Sequence, residues 1–127
     1  MKKVISTLGA PQAIGAYSQA IRANGFLFVS GQIPLDPVTG DLAYGGVSVQ
    51  AHQILANIKS ILSAESLSFA DVVKSTIFLA NMDDFKTVND IYAQYFKEAP
   101  PARSCVQAAR LPRGAELEIE IIAAYPS

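Results

Sequence analysis

The chain has 127 residues, half of them hydrophobic and 17% charged, with ten Lys and Arg against eleven Asp and Glu and a net charge of −1. That length supports one hydrophobic core, so a single domain over residues 1–127 is expected, and the composition excludes a disordered tail. No basic run marks a nucleic-acid surface, the lone Cys105 and lone His52 give neither an internal disulfide nor a recognisable metal set, and no run of 18 apolar residues suggests a membrane span.

The start, Met1-Lys2-Lys3-Val4-Ile5, faintly resembles a signal peptide, but its apolar stretch is short, is interrupted by Ser6 and Thr7, and meets Pro11. A first strand in a reduced, cytoplasmic protein is the better reading. Residues 18–23 and 26–31 flank Asn24-Gly25, a pair suited to positive φ at both turn positions, so they are expected to form a hairpin. Residues 34–46, with two prolines and three glycines, read as a loop. Ala51, Ile54, Leu55, Ile58, Ile61 and Leu62 then fall on one stripe, which predicts a helix over 47–64.

Residues 72–80 are rich in β-branched types and predict a strand. A second helix is expected over 84–97, with the stripe Phe85, Val88, Tyr92, Tyr95 and Phe96. Asp83 or Asn81 can cap its start, and Pro100-Pro101 stops it. Strands near 103–110 and 116–124 finish the chain. Two helices cannot cover both faces of a large sheet, so an α+β layer with both helices on one sheet face is the expected class. The other face must then meet water or another subunit. The chain is unusually apolar for a small domain, which favours the second.

Several residues can carry chemistry. The Arg103 fork can grip a carboxylate, and Pro100-Pro101 would fix its approach, although a surface arginine is the plainer reading. Glu116, Glu118 and Glu120 alternate with Leu117, Ile119 and Ile121, which places three carboxylates on one strand face. That pattern usually means a solvated face. One of the three in a cleft would be a base for water, and spacing does not say which. Cys105 reads as a small buried hydrophobe before a nucleophile. Tyr17, Ser30 and Asn89 have turn, core or surface roles by default, and His52 is a surface or interface residue of the first helix. No phosphate loop, Cys-His pair or nucleophile elbow is present.

Six segments stand out in order: Ala10-Pro11 with Ile14-Gly15-Ala16-Tyr17-Ser18-Gln19; Val29-Ser30-Gly31-Gln32-Ile33-Pro34 with Thr39-Gly40; Asp71-Val72-Val73-Lys74-Ser75-Thr76; Phe85-Lys86-Thr87-Val88-Asn89; Pro101-Ala102-Arg103-Ser104-Cys105-Val106 with Ala109-Arg110-Leu111-Pro112; and Leu117-Glu118-Ile119-Glu120. Together they resemble the Rid family of reactive intermediate deaminases. The family is also called YjgF-like and was formerly described as L-PSP endoribonucleases or translation initiation inhibitors. The match is to the RidA-type branch and runs nearly end to end. It implies a chorismate-mutase-like fold, with a mixed β-sheet carrying two helices on one face. It further implies a homotrimer whose sheets form a central barrel, with the sites in the clefts between subunits.

On that resemblance Arg103 binds a substrate carboxylate, and Glu118 positions and activates water. Tyr17, Ser30, Gly31, Asn89 and Cys105 line the site, Cys105 through its backbone. Ala16 departs from the family, which often has proline before the tyrosine. The implied activity is hydrolysis of 2-iminopropanoate and 2-iminobutanoate, formed from 2-aminoacrylate and 2-aminocrotonate, to the 2-oxo acid and ammonia, with no cofactor and no metal. Small 2-imino and 2-oxo carboxylates are then the ligands, and neither membrane nor nucleic acid is an expected partner. Two rivals stand beside it: an endoribonuclease or translation inhibitor, and a non-catalytic carboxylate-binding or chaperone-like protein on the same fold.

Overall fold

The structure is a computed structural model that describes residues 1–127. Six strands form one sheet: β1 (Lys3–Ile5), β2 (Ala20–Ala23), β3 (Phe26–Gln32), β4 (Val72–Leu79), β5 (Ala102–Gln107) and β6 (Leu117–Ala124), in the order β1-β2-β3-β6-β4-β5. Two helices, α1 (Val47–Ala64) and α2 (Phe85–Tyr95), complete the fold. No helix is long and apolar enough to cross a membrane.

The topology explains why both helices share a face. β3 and β4 each pair antiparallel with β6, so they run parallel to each other with β6 between them, and β5 pairs parallel with β4. Parallel strands need a long crossover, and α1 and α2 are those crossovers. Both step the same way across the sheet. Crossovers share one hand, so both helices fall on the same side. This is the α+β arrangement expected from the element count.

The stripe read from the sequence is the core. Ile54, Leu55, Ile58, Ile61 and Leu62 of α1 are buried against Leu27, Val29, Ile77, Leu79, Leu117, Ile119 and Ile121 of the sheet. From α2, Val88, Ile91 and Tyr92 join them, with Phe96 just beyond its end. The opposite face carries no helix. There Phe26, Phe28 and Val106 remain 40–45% exposed.

Boundaries differ from the sequence reading where local bonds compete with the ladder. The hairpin turn is at Asn24 and Gly25, both with positive φ, as expected. β2 begins at Ala20 rather than Ser18, because the Gln19 side chain is drawn back to the N-terminal segment. Its Oε1 accepts from Thr7 N–H at 2.8 Å and its Nε2 donates to the Pro11 carbonyl at 2.9 Å. Helix α2 is shorter than 84–97. A 3-10 turn over Met82–Asp84 precedes it, with the Asn81 side chain accepting from Asp83 N–H. It ends at Tyr95, ahead of Pro100-Pro101. β5 stops at Gln107, three residues short of the expected end, and a 3-10 turn at Pro112–Gly114 leads toward β6.

Candidate active site

Two groups of polar residues stand apart on this chain. The first surrounds Glu118. A cavity of about 470 Å³ is lined by Tyr17, Ser30, Gly31, Ile33, Pro112, Glu118 and Glu120. The pairing of β3 with β6 builds it. The ladder slips between Val29 and Gln32, which leaves Ser30 and Gly31 in an irregular stretch beside Glu118. Ser30 is held there by its own contacts: its N–H donates to the Gln19 carbonyl at 3.1 Å and its hydroxyl to the Ser18 carbonyl at 2.5 Å.

Gly31 is glycine for a steric reason. A Cβ at that position would overlap the Glu118 carboxylate and reach 2.9 Å from its carboxyl carbon. Close backbone approach is a usual meaning of glycine inside a strand. Burial raises the Glu118 carboxyl above its ordinary pKa, and the Glu120 charge pushes it further the same way. A half-buried carboxylate with a raised pKa beside a cavity is a candidate proton acceptor.

Tyr17 is half-exposed at the rim, and its hydroxyl accepts a long bond from Ile14 N–H at 3.4 Å. Ala16 before it is exposed. The glutamates separate as the geometry requires. Glu118 and Glu120 line the cavity, whereas Glu116 precedes β6 and gives its N–H to Gln50 of α1.

The second group surrounds Arg103. A cavity of about 370 Å³ is lined by Asn89, Tyr92, Ala93, Phe96, Pro100, Pro101 and Arg103. Arg103 Nη1 donates to Asn89 Oδ1 at 2.8 Å, so the side chain leans onto α2. Its guanidinium carbon lies over the Tyr92 ring at 5.0 Å and the Phe85 ring at 5.5 Å. Cys105 pairs in register with Ile77 and packs against the core. Burial raises the Cys105 thiol, and nearby Arg103 offsets this only in part. A thiol so placed stays protonated, which agrees with a small apolar side chain and not with a nucleophile.

Arg103 and Glu118 lie on opposite faces of the sheet. Arg103 pairs in register with Ser75, whose hydroxyl meets Tyr92 of α2, so both point toward the helices. Glu118 pairs with Phe78, three residues along β4 from Ser75 and therefore on the other face. Within one chain the two residues do not share a cavity. β5, which carries Arg103 and Cys105, is also an edge of the sheet.

Comparison with known proteins decides the family. The family model described as Endoribonuclease L-PSP matches residues 7–125. The chain belongs to this family, the Rid or YjgF-like family of the sequence resemblance. The human 2-iminobutanoate/2-iminopropanoate deaminase is 50% identical over 97% of this chain and 90% of its own length. A crystal structure of a putative endoribonuclease from Thermotoga maritima superposes with a TM-score of 0.96, at 48% identity and full coverage of both chains. The E. coli TdcF structure with bound serine gives a TM-score of 0.92 at 45% identity, covering 98% of this chain and 99% of that one.

Within this L-PSP family fold, the residues singled out from the sequence divide cleanly. Tyr17, Ser30, Gly31 and Glu118 gather at one cavity, and Asn89 and Arg103 at the other, with Cys105 two residues along β5. His52 joins neither. It is exposed on α1, with Nδ1 2.7 Å from the Tyr95 hydroxyl. Sequence reasoning missed Ile33 and Pro112 as walls of the Glu118 cavity. It also assigned Phe85 and Tyr92 only to the core stripe. The aromatic spacing around Asn89 was the available signal for the latter pair, since Arg stacks on aromatic faces.

Proposed function

We propose that the chain is an imine deaminase that assembles as a homotrimer and completes each site from two subunits. The separation of Arg103 and Glu118 onto opposite sheet faces carries this reading, because one chain then offers two half-sites and no whole one. The uncovered sheet face, with Phe26, Phe28 and Val106 exposed, supplies the apolar surface that association would bury. One subunit contributes Tyr17, Ser30, Gly31 and Glu118. Its neighbour contributes Asn89, Arg103 and the Cys105 backbone.

In this site Arg103 holds the carboxylate of 2-iminopropanoate or 2-iminobutanoate. The water oxygen bonds to the imine carbon, the C=N π pair moves to nitrogen, and Glu118 takes the water's proton. That proton passes to the carbinolamine nitrogen. The hydroxyl then gives its proton back to Glu118 as the C–N bond breaks with its electron pair going to nitrogen, which releases the 2-oxo acid and ammonia, and the ammonia takes up that proton to leave as ammonium. A protonated imine is already electrophilic, so proximity and one base suffice. The raised Glu118 pKa makes it a stronger base than an ordinary carboxylate. Support comes from the human deaminase, and from TdcF, whose bound serine is itself a small amino-acid carboxylate. The family description names an endoribonuclease, but the geometry does not favour that alternative, since the single histidine stands outside both cavities and leaves no histidine pair for acid–base cleavage.

The test is release of ammonia from enzymatically generated 2-iminopropanoate and 2-iminobutanoate by the purified protein. Acceleration over the buffer rate supports the reading. A rate equal to buffer refutes it and leaves the non-catalytic alternative.

Gly31→Ala gives an independent check on the Glu118 half-site. The new Cβ would push the carboxylate aside, and a displacement near 1 Å costs about 10–100-fold in kcat. The obstructing group is the far end of a flexible side chain, so little change in Tm is expected. Steady-state kinetics beside a thermal melt measures both.

A further inference from the structure

Arg103 is not a free side chain reaching from a strand. Its guanidinium carbon sits over Tyr92, 5.0 Å from the ring centroid, and Tyr92 is 4% exposed. The Tyr92 hydroxyl in turn lies 2.6 Å from the Ser75 hydroxyl, and Ser75 is 1% exposed. A tyrosine among the apolar residues of a helix stripe needs a partner for its hydroxyl, and here a serine set into β4 provides it. Ser75 and Arg103 are register partners on adjacent strands. Tyr92 therefore spans both, with its hydroxyl on one and its ring beneath the other. Phe85 adds a second aromatic wall, and Asn89 takes one guanidinium N–H.

This arrangement goes beyond filling the core. A leucine or phenylalanine at position 92 would complete the same stripe. The buried hydroxyl pair instead fixes where the ring lies, and the ring and Asn89 fix the guanidinium. Five N–H groups project from an arginine fork, and only one of them is directed at Asn89. An arginine ordered before its ligand arrives loses less freedom on binding. Burial keeps Tyr92 a neutral phenol, with the Ser75 bond and the Arg103 charge opposing only in part. The ring platform is therefore uncharged at neutral pH.

We infer that Tyr92, pinned by Ser75, is a positioning residue that holds the Arg103 fork ready for a substrate carboxylate. The inference deepens the proposed function and rests on its assignment of Arg103 as the carboxylate site. A positioning role of this kind shows in binding more than in turnover. Truncating the platform removes interaction shared by the ground and transition states, which raises KM and leaves kcat nearly unchanged.

The experiment measures 2-oxobutanoate binding by calorimetry and imine hydrolysis by steady-state kinetics, on the assembled protein and three variants. Tyr92→Leu is expected to weaken Kd and raise KM by about tenfold, with kcat within about threefold and full binding stoichiometry. Ser75→Ala combined with Tyr92→Phe keeps the ring, removes the pin without leaving a buried hydroxyl unpaired, and is expected to weaken binding by about threefold. Arg103→Ala is the reference for complete loss. A purely structural role would lower stoichiometry, kcat and Tm with Kd unchanged in the folded fraction, and that result overturns the inference. Unchanged Kd in both platform variants, with binding lost in Arg103→Ala, overturns the inference while leaving the Arg103 assignment intact. Equal binding by Arg103→Ala and the unmodified protein overturns both. If Tyr92→Leu does not fold, the double variant decides alone: weakened binding supports the platform, and unchanged binding removes it.

Discussion

Arg103→Ala is expected to lower kcat/KM for 2-iminobutanoate by about 10²–10³-fold. The fork can offer two charge-assisted bonds to a carboxylate, at about 1.5–3 kcal/mol each before the loss to partial solvent exposure. A net loss near 3 kcal/mol is about a hundredfold. Misplacement of the imine carbon relative to the water adds to that. Most of the change should appear in KM. Arg103→Lys keeps a charge but not the planar fork, and Asn89, Tyr92 and Phe85 are arranged around a fork. It should recover only part of the loss. Steady-state kinetics on the two variants measures this. A lysine variant as good as the arginine would mean that bidentate geometry is irrelevant here.

The second large effect is at Glu118. Glu118→Gln is expected to lower kcat by about 10²–10⁴-fold, the usual range for removing a general base. The pH dependence gives a sharper signature. Glu118 accepts a proton only when ionised, so activity falls as pH drops through its pKa. Burial and then the Glu120 charge both raise that pKa, which places the acid limb of kcat/KM above the ordinary carboxylate range. Glu120→Gln removes the like charge, so its acid limb should move to lower pH with the neutral-pH rate nearly unchanged.

Stability has the opposite sense. A carboxyl whose folded pKa is raised contributes stability that is fully present below its unfolded pKa and lost as pH rises through the folded value. At pH 7 Glu118→Gln should thus melt no lower than the unmodified protein, and higher if the ionised carboxylate is a strain on the fold. Loss of activity together with loss of Tm would point to damage and not to a missing base.

Much of the architecture could be read from residue patterns, for identifiable reasons. Asn24-Gly25 fixes a hairpin because few other pairs tolerate its backbone angles, and the structure has positive φ at both. The α1 stripe is long and unbroken, so the helix over 47–64 followed from it directly. The alternation around Glu118 gave the two faces of β6 correctly for Glu118 and Glu120. Glu116 lies just before the strand and does not line that cavity, and its backbone N–H donates to the Gln50 side chain of α1.

The site was less accessible to such reasoning, because it depends on which strands become neighbours. Arg103 faces the helices only because it falls opposite Ser75 across a parallel pair separated by α2. Local alternation cannot supply that register. Gly31 meets Glu118 across β3 and β6, 87 residues apart in sequence, although a glycine inside a strand already hinted at a close approach. Tyr92 was read as core because its spacing is that of a core residue. Its hydroxyl is what distinguishes it, and a partner for that hydroxyl becomes visible only once β4 is packed beneath α2.

The most direct test of a site shared between subunits is complementation. Arg103→Ala and Glu118→Gln chains would be produced separately and also co-expressed, and imine hydrolysis compared at equal total protein. Each variant alone should be depressed about 100-fold or more, whereas equal mixing should restore roughly a quarter of the unmodified activity, because a boundary with Glu118 on one side and Arg103 on the other then forms at random. If the mixture stays as low as the two variants assayed apart, Arg103 and Glu118 do not act across a subunit boundary, and the shared site is refuted.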